Sequence, residues 1–311
     1  MDNVRYLWRH IKSMKGLLLL ALVLMAAEAV TNLTSTWFTR SLIDDVLLNG
    51  QTEQFGKVVL YIAVSYVVYS LLFTFARHCA LLCMTRIRIS VCKELMLFMY
   101  RITMGKLQKE RTANIVYYFT NDLKNTAGIV GNDLPFLTQA IATAIFIIIA
   151  VGSISPTLLY GMAGFAIAYL LLGRWFSVLR KKSASQVNAE RSALLVHLEE
   201  GIASTREVIA FHRQDWENNI VRKKFDTYFA SVMKEGSIIN RQLLCSDPLK
   251  WAAILFVLLY GGTLVLNGKI SVGMFVVSYH FTSQMMESFN SIYQYIMEVS
   301  GKLSSVERIR Q

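Results

Sequence analysis

Proline is nearly absent from this chain, with three residues among 311, and no stretch has the composition of a linker between domains. The sequence therefore indicates a single domain. Cysteine is also scarce, and its four residues lack the spacing of a disulfide framework or a zinc site, so plain packing is their expected role. The five histidines are scattered, and no acid/base or nucleophile constellation accompanies them. Charged residues make up only 17% of the chain, fewer than in an average soluble protein.

Hydrophobic residues are abundant instead, at 54% of the sequence, and the mean hydropathy is +0.41. Six apolar stretches reach or approach the roughly 20 residues that a helix needs to cross about 30 Å of hydrocarbon. These stretches lie at about 16–39, 57–85, 128–153, 157–178, 249–266 and 272–298. We therefore expect an all-α membrane protein with six transmembrane helices.

Two long polar insertions, at about 86–127 and 179–248, interrupt the apolar pattern. Both have helical periodicity and no strand alternation. The pattern from 157 to 211 predicts one continuous helix on the order of 80 Å long. Breaks near 111–115 and 212–217 then predict two helical hairpins, each with a short turn at its tip.

The connections on the opposite side of the membrane are short. They lie at 46–56, 153–156 and 267–269, and each contains glycine or proline. Short turns make the flanking spans antiparallel neighbours, so the first two, the middle two and the last two spans are expected to pair.

The basic residues define an orientation. With the N-terminus inside, 28 of the 32 Lys and Arg residues lie on that side, counting those at the inner ends of the spans. This distribution follows the positive-inside rule, so both insertions and both termini are expected in the cytoplasm of a plasma-membrane protein. The net charge of +11 is therefore attributed to membrane orientation and not to a nucleic-acid partner.

The first residues, about 4–15, predict an amphipathic elbow helix that lies at the inner interface. Its apolar face consists of Val4, Leu7, Trp8 and Ile11. A signal peptide is the competing interpretation. It is disfavoured because no small-residue cleavage site follows and the apolar run is too long.

Ionisable residues inside a bilayer are costly, so they are candidates for a functional site. Glu28 lies near the middle of the first span, Arg77 in the second and Glu287 towards the inner end of the sixth. The glutamates would suit cationic groups on a cargo. The alternative is structural, with Glu28 and Arg77 forming a pair that locks the first two spans together.

The sixth span also carries a polar and aromatic stripe. Its candidate substrate contacts are Tyr279, Gln284, Met286, Glu287, Phe289 and Tyr293. At helical spacing, the aromatic and methionine side chains among them could form an adaptable wall for hydrophobic or amphipathic cargo. Ordinary packing remains the alternative.

Four short motifs follow one another in an order that resembles a known family. Residues 115–122 read Ile-Val-Tyr-Tyr-Phe-Thr-Asn-Asp, and residues 200–211 carry a Glu, Val and Phe pattern. Residues 268–273 form the turn before the last span, and 304–309 read Ser-Ser-Val-Glu-Arg-Ile. Together with the topology, they resemble the transmembrane domain of the ATP-binding cassette (ABC) exporters of the six-helix type 1 class.

The resemblance implies a function for the two hairpin tips, which would be coupling helices seated in grooves of ATPase domains. The implied contacts are Arg111, Thr112, Ala113, Asn114 and Ile115 at the first tip, and Arg213, Gln214, Asp215, Trp216 and Glu217 at the second. The resemblance also implies a dimer of two such domains and outward transport by alternating access. ATP and Mg²⁺ would act through the nucleotide-binding domains.

No ATPase is encoded in these residues. The phosphate-binding pattern Gly-x-x-x-x-Gly-Lys-Ser/Thr is absent, and its nearest approach, Gly262 to Ile270, has one residue too many and no hydroxyl. The chain is therefore not expected to be an enzyme by itself. Either the protein continues into an ATPase beyond Gln311 or the ATPase is a separate polypeptide, and continuation is favoured.

The leading hypothesis is the transmembrane half of an exporter for a lipophilic or amphipathic solute, such as a drug in multidrug export, a lipid or a peptide. The alternative is a membrane sensor or scaffold that relays a signal to a cytoplasmic partner without transport. An ion channel is a third option. It is disfavoured because the sequence shows neither a re-entrant filter nor a ring of pore-lining charges.

Overall fold

The computed structural model describes residues 2–103, 105 and 112–310, and throughout this part of the chain the regular elements are helical, without a strand. The α-helices are α1 (Asp2–Ile11), α2 (Lys15–Ser41), α3 (Thr52–Arg101), α4 (Thr112–Tyr117), α5 (Leu123–Gly128), α6 (Leu134–Ile154), α7 (Pro156–Ala203), α8 (Thr205–Ala210), α9 (Gln214–Leu266) and α10 (Val272–Arg310). Three π-helical turns interrupt this order: π1 (Leu42–Leu48), π2 (Tyr118–Asp122) and π3 (Ile129–Asp133). The all-α expectation is confirmed for these residues.

Five helical stretches are long and apolar enough to cross a membrane, judged by length and composition within the described residues. They are Arg5–Leu48, Thr52–Arg101, Ile115–Ile154, Pro156–Ala203 and Gln214–Leu266. The sixth predicted span, 272–298, lies within α10, which is one unbroken helix but is more polar than the others. The number of six spans therefore stays a prediction.

Short turns join consecutive helices at the three predicted positions. Gly50 has φ 68° and Gly268 has φ 67°, the left-handed conformation that glycine adopts without a steric penalty at the end of a helix. Ser155 is extended between α6 and α7, and Pro156 begins α7, where its missing N–H costs no hydrogen bond.

Two corrections concern the helical insertions. The continuous helix expected from 157 to 211 has a turn at Ser204, where the side-chain hydroxyl donates to the Glu200 carbonyl at 2.8 Å. Ser204 has φ −96° and ψ 13°, values that depart from those of a regular α-helix. In the other insertion α3 already ends at Arg101, earlier than the expected break. Arg111 lies outside the described residues, and 112–115 are helical.

The second predicted tip, by contrast, is close to its expected position. Helix α8 ends at Ala210, the residues 211–213 form a turn, and α9 begins at Gln214. His212 has φ 53°, an uncommon conformation for a residue with a side chain. The turn therefore reverses the chain within three residues.

The chain divides into two compact units, one of residues 1–166 with 253–311 and one of residues 167–252. The first unit contains two main apolar clusters. One is built around Leu33, Phe281 and Met285, and the other joins Leu7 and Ile11 of α1 to α3 and to the end of α10. Burial of these side chains packs α2, α3, α6 and α10 into one body.

Glu94 of α3 fixes helix α1. Its carboxylate accepts a hydrogen bond from the Arg9 guanidinium, lies 2.8 Å from His10 Nε2 and accepts a longer bond of 3.3 Å from the Tyr6 hydroxyl. Trp8 remains 63% exposed, so one apolar side chain of this helix points away from the protein. An exposed tryptophan of this kind fits the predicted position of α1 at the membrane interface.

We expect Glu94→Ala to loosen α1, because its carboxylate accepts hydrogen bonds from two side chains of this helix, Tyr6 and Arg9. Trypsin cleavage at Arg5 and Arg9 in detergent should accelerate several-fold, in line with a loss of about 1–2 kcal/mol for partly exposed charge-assisted bonds. The matched control is Lys93→Ala at the neighbouring exposed position. Equal cleavage rates in the two variants would contradict this role of Glu94.

Candidate functional site

A polar cleft opens between α2, α6 and α10 in the first unit, with a volume of about 280 Å³. It is lined by Asn32, Phe136, Gln139, Ala140, Thr143, Gln284, Glu287, Ser288, Ser291 and Tyr295. The α6 and α10 residues recur every three or four positions, so each helix contributes one face. Seven of these side chains are uncharged polar or carry a phenol, one is a carboxylate, and Phe136 and Ala140 are apolar. Such a lining can hydrogen-bond a solute and stack against it.

Glu28 lies directly behind this lining. It is fully buried, and its Oε1 accepts a hydrogen bond from Gln139 Nε2 at 3.0 Å. A carboxylate can accept but not donate, so it fixes the amide of Gln139 with its NH₂ group turned towards Glu28. The Gln139 carbonyl oxygen is then the acceptor that remains for the cleft.

Arg77 contacts the lining of the cleft through aromatic rings. Its guanidinium carbon lies 4.4 Å from the ring centre of Phe73 and 4.2 Å from that of Phe136, within the range of a cation–π interaction. Phe136 is in turn stacked on Tyr295, with ring centres 5.5 Å apart. No ion pair joins Arg77 to Glu28, both of which are described. The direct lock between the first two spans is therefore replaced by a contact that supports the cleft wall.

The structure separates the remaining α10 candidates. Gln284 and Glu287 line the cleft, whereas Met286 is 1% exposed and packs in the apolar cluster around Phe281. Phe289 packs partly against the same cluster, Tyr279 lies beside the ring of His280, and Tyr293 is half-buried. The predicted aromatic and methionine wall therefore does not line this cleft. Gln139, Phe136 and Tyr295, which sequence reasoning missed, line it instead.

The residues of the first predicted coupling tip can be placed only in part. Arg111 lies outside the described residues, Thr112 to Asn114 belong to α4, and Ile115 is half-buried. The side chains of Thr112, Ala113 and Asn114 lie outside the part of the chain whose side chains the structure describes. The helix itself leads directly into π2.

The second predicted tip belongs to the second unit. Trp216 is 55% exposed and Phe211 is 76% exposed. A Glu217 carboxylate oxygen lies 3.2 Å from His197 Nε2, and a Cβ at Gly201 would lie only 2.7 Å from that same oxygen. Glycine thus permits the close approach of the tip to α7. Arg213, Gln214 and Asp215 are exposed, so the tip presents charged and aromatic side chains around one turn.

Each π-helical turn carries an aspartate that reaches α10. Asp44 of π1 accepts hydrogen bonds from the Ser271 hydroxyl and, at 2.7 Å, from the Gly273 backbone N–H at the beginning of α10. Asp122 of π2 and Asp133 of π3 bind bases near the other end of α10. Helix α10 is thereby anchored at both ends.

Asp122 and Asp133 are fully buried. Both oxygens of Asp133 lie 2.8 Å from Lys302 Nζ, and Asp122 accepts hydrogen bonds from Arg308 Nε at 2.9 Å and Nη2 at 2.5 Å. The hydrogen bond with Asp122 raises the pKa of the Arg308 guanidinium above its ordinary value. Since a buried charge is costly unless it is paired, these contacts stabilise the packing of π2 and π3 against the end of α10.

Comparison with known proteins gives a consistent result. A family described as "ABC transporter transmembrane region" matches residues 18–289. The chain is 18% identical over 313 residues to the "Uncharacterized ABC transporter ATP-binding protein YfiC" of Bacillus subtilis (strain 168), covering 99% of the chain and 51% of that protein. It is 20% identical over 274 residues to the "ABC-type oligopeptide transporter ABCB9" of Mus musculus, covering 87% of the chain and 36% of that protein, and equally to the protein of that name from Rattus norvegicus. The chain spans about half, or less, of the length of these curated relatives.

Proposed function

Since the chain belongs to the family of ABC transporter transmembrane regions and is an integral membrane protein with several long apolar helices, we propose that it forms the membrane-spanning half of an ATP-driven exporter. It moves an amphipathic or lipophilic solute out of the cytoplasm by alternating access between two conformations. ATP hydrolysis belongs to nucleotide-binding domains, which supply the ATP and Mg²⁺ chemistry. A second transmembrane half, identical or different, completes the pathway in the plasma membrane, with the termini in the cytoplasm.

The polar cleft is the observation that supports this function most directly. Glu287 brings a carboxylate to a lining that is otherwise rich in amides and hydroxyls, and Phe136 and Tyr295 add aromatic faces. A solute with a cationic or hydrogen-bonding group next to an apolar group satisfies both parts of this lining. Drugs, lipids and peptides of amphipathic character all have this chemistry, and the printed name of one relative refers to oligopeptide transport.

The exposed second tip supports the assignment of a cytoplasmic partner. Trp216 lies among charged neighbours at a turn, which is a composition typical of interface anchors. We assign this tip and the α4 tip to docking on nucleotide-binding domains. Because ATP binds to these domains and the solute binds in the cleft, the helices must transmit movement between the two sites.

Transport by the full-length protein in sealed vesicles tests the function. We expect a lipophilic cationic dye to move in an ATP-dependent manner, and Glu287→Gln to lower kcat/KM for the dye about 10-fold. The reason is that a hydrogen bond to a charged partner contributes about 1.5–3 kcal/mol, and 1.4 kcal/mol corresponds to a factor of ten. Glu307→Gln, at an exposed position on the same helix, is the control.

Glu28→Gln separates positioning from direct contact. It removes the carboxylate that fixes the Gln139 amide, so we expect a smaller loss of about 2- to 5-fold, from a hydrogen bond that contributes about 0.5–1 kcal/mol, for neutral and cationic cargo alike. A loss confined to cationic cargo would indicate direct contact instead. If dye, peptide and lipid probes all remain unmoved while ATP is hydrolysed, the sensor or scaffold alternative gains support.

A further inference from the structure

Three contacts join the end of α10 to the segment 118–133 in an antiparallel arrangement. Lys302 binds Asp133, Ser305 accepts a hydrogen bond from Asn125 Nδ2 at 3.1 Å, and Arg308 binds Asp122. As the residue number rises along α10, it falls along the other segment. A row of three contacts fixes both the distance between the two elements and their register.

Two of the three contacts in the row are also connected to each other. Arg308 Nη2 donates to the Ser305 hydroxyl at 3.1 Å as well as to Asp122. Ser305 and Val306 are buried, and Val306 belongs to the apolar cluster that also contains Leu123 and Val130 of the opposing segment. Charged, neutral and apolar contacts therefore hold the same interface, and a shift of one element against the other would break all of them.

The π-helical turns lie at the two ends of this row. Asp122 is the last residue of π2 and Asp133 the last residue of π3. Such turns occur mostly inside α-helices and are frequent at functional sites. Both turns place a fully buried carboxylate towards α10, where an unpaired charge would not be tolerated.

The two joined elements connect the first predicted coupling tip with the helices that line the polar cleft. The segment 118–133 follows α4, the first predicted coupling tip, and leads into α6. Helices α6 and α10 both line the polar cleft, with Gln139 and Glu287 respectively. The row of contacts thus lies between the tip and the cleft along the chain.

We propose that Asp122, Asp133, Lys302 and Arg308 are positioning residues that make the segment 118–133 and residues 298–310 one rigid lever. Displacement of the α4 end then moves α6 and α10 together at the cleft, with no sliding between them. This inference rests on the proposed function for its biological meaning. The rigidity of the lever, however, can be measured whether or not transport occurs.

The test measures the distance between spin labels at the exposed positions Thr120 and Ser300 in the full-length protein in lipid nanodiscs. The four native cysteines are replaced beforehand, and labelled chains are diluted with unlabelled ones so that only intramolecular distances count. We expect one narrow distance distribution that is the same without nucleotide and with ATP plus vanadate. A wild-type distance that changes between these two conditions overturns the proposal.

Arg308→Ala is the disrupting variant, because Arg308 is partly exposed and its loss removes the contacts with Asp122 and Ser305. It should at least double the width of the distribution and lower transport per ATP hydrolysed about 10-fold. Glu307→Ala on the same turn is the matched control, and Arg308→Lys should recover part of both properties. An unchanged width and an unchanged transport ratio in Arg308→Ala overturn the proposal.

Failure of the proposed function and failure of the lever proposal give different results. If the wild-type protein neither hydrolyses ATP nor transports, the proposed function fails, while the nucleotide-free widths of wild type and Arg308→Ala still test the lever. If Arg308→Ala does not fold, Arg308→Lys replaces it. A width in Arg308→Lys that exceeds that of Glu307→Ala supports the lever, and an equal width overturns it.

Discussion

Replacement of Lys302 by methionine is expected to destabilise the first unit by about 3–5 kcal/mol, the cost of leaving a buried charge without its partner. Asp133 is fully buried, and both of its oxygens lie 2.8 Å from Lys302 Nζ. Asn132 donates one further bond of 3.1 Å to Asp133, which is too little to replace an ammonium group. Methionine retains most of the aliphatic stem, so the lost packing is small. The measurement is the unfolding midpoint of the purified protein in detergent.

Two controls separate the loss of the charge from other effects of the substitution. Glu298→Gln removes the other carboxylate near Lys302, which is 3.4 Å away and half exposed, and should cost less than about 1 kcal/mol. The double variant Asp133→Asn with Lys302→Met removes both charges and should regain much of the loss. If Lys302→Met is no less stable than Glu298→Gln, Asp133 does not depend on this partner.

The sequence was sufficient to predict where the helices end at short turns. Gly50, Gly268 and Pro156 mark the three turns correctly, because glycine permits a positive φ that other residues rarely adopt, whereas proline fixes φ and lacks an N–H. Such local signals do not depend on the rest of the fold. The turn at Ser204 carries a weaker signal, since a serine hydroxyl can bond to its own helix or point away from it, and only the packed structure decides between the two.

The sequence predicted only part of the candidate site. The signal was the presence of polar side chains in apolar spans. Gln284 and Glu287 were found because polar side chains are conspicuous in an apolar span, and Glu28 for the same reason. Gln139 carries the same signal in α6 and could have been found by it. Met286 could not be assigned, because it packs in an apolar cluster with residues that are distant in the chain, such as Leu33 and Met162.

The contacts of Asp122 and Asp133 with α10 could not be predicted from sequence periodicity. A π-helical turn changes the number of residues per turn, so the face on which Asp122 or Asp133 lies cannot be read from a 3.6-residue repeat. Their partners are 186 and 169 positions away in the chain. A buried acid in one segment and a base in another suggest a pair only when both segments are already known to be neighbours.

Gly131→Ala is expected to have an effect of similar size through steric overlap alone. A Cβ at this position would lie 2.3 Å from Met84 Cβ, 2.6 Å from Met84 Cα and 2.7 Å from Met84 N. Two of these atoms are backbone, so no side-chain rotation relieves the overlap and α3 must move away from π3. Overpacking of this kind costs about 1–3 kcal/mol and occasionally more. Because backbone is involved, we expect a loss of about 3 kcal/mol in the unfolding measurement.

Gly128→Ala provides the matched control on the same segment, since its Cβ would meet nothing nearer than Lys302 Nζ at 3.9 Å. Alanine is preferred over glycine in a helix by about 1 kcal/mol, so this variant should be as stable as the wild type or more stable. The close approach at Gly131 also determines where the neighbouring Asp133 lies. Gly131→Ala should therefore weaken the contact with Lys302 as well, and its effect should be less than additive with that of Lys302→Met. Full additivity would mean that the packing of π3 on α3 and the ion pair with α10 are independent.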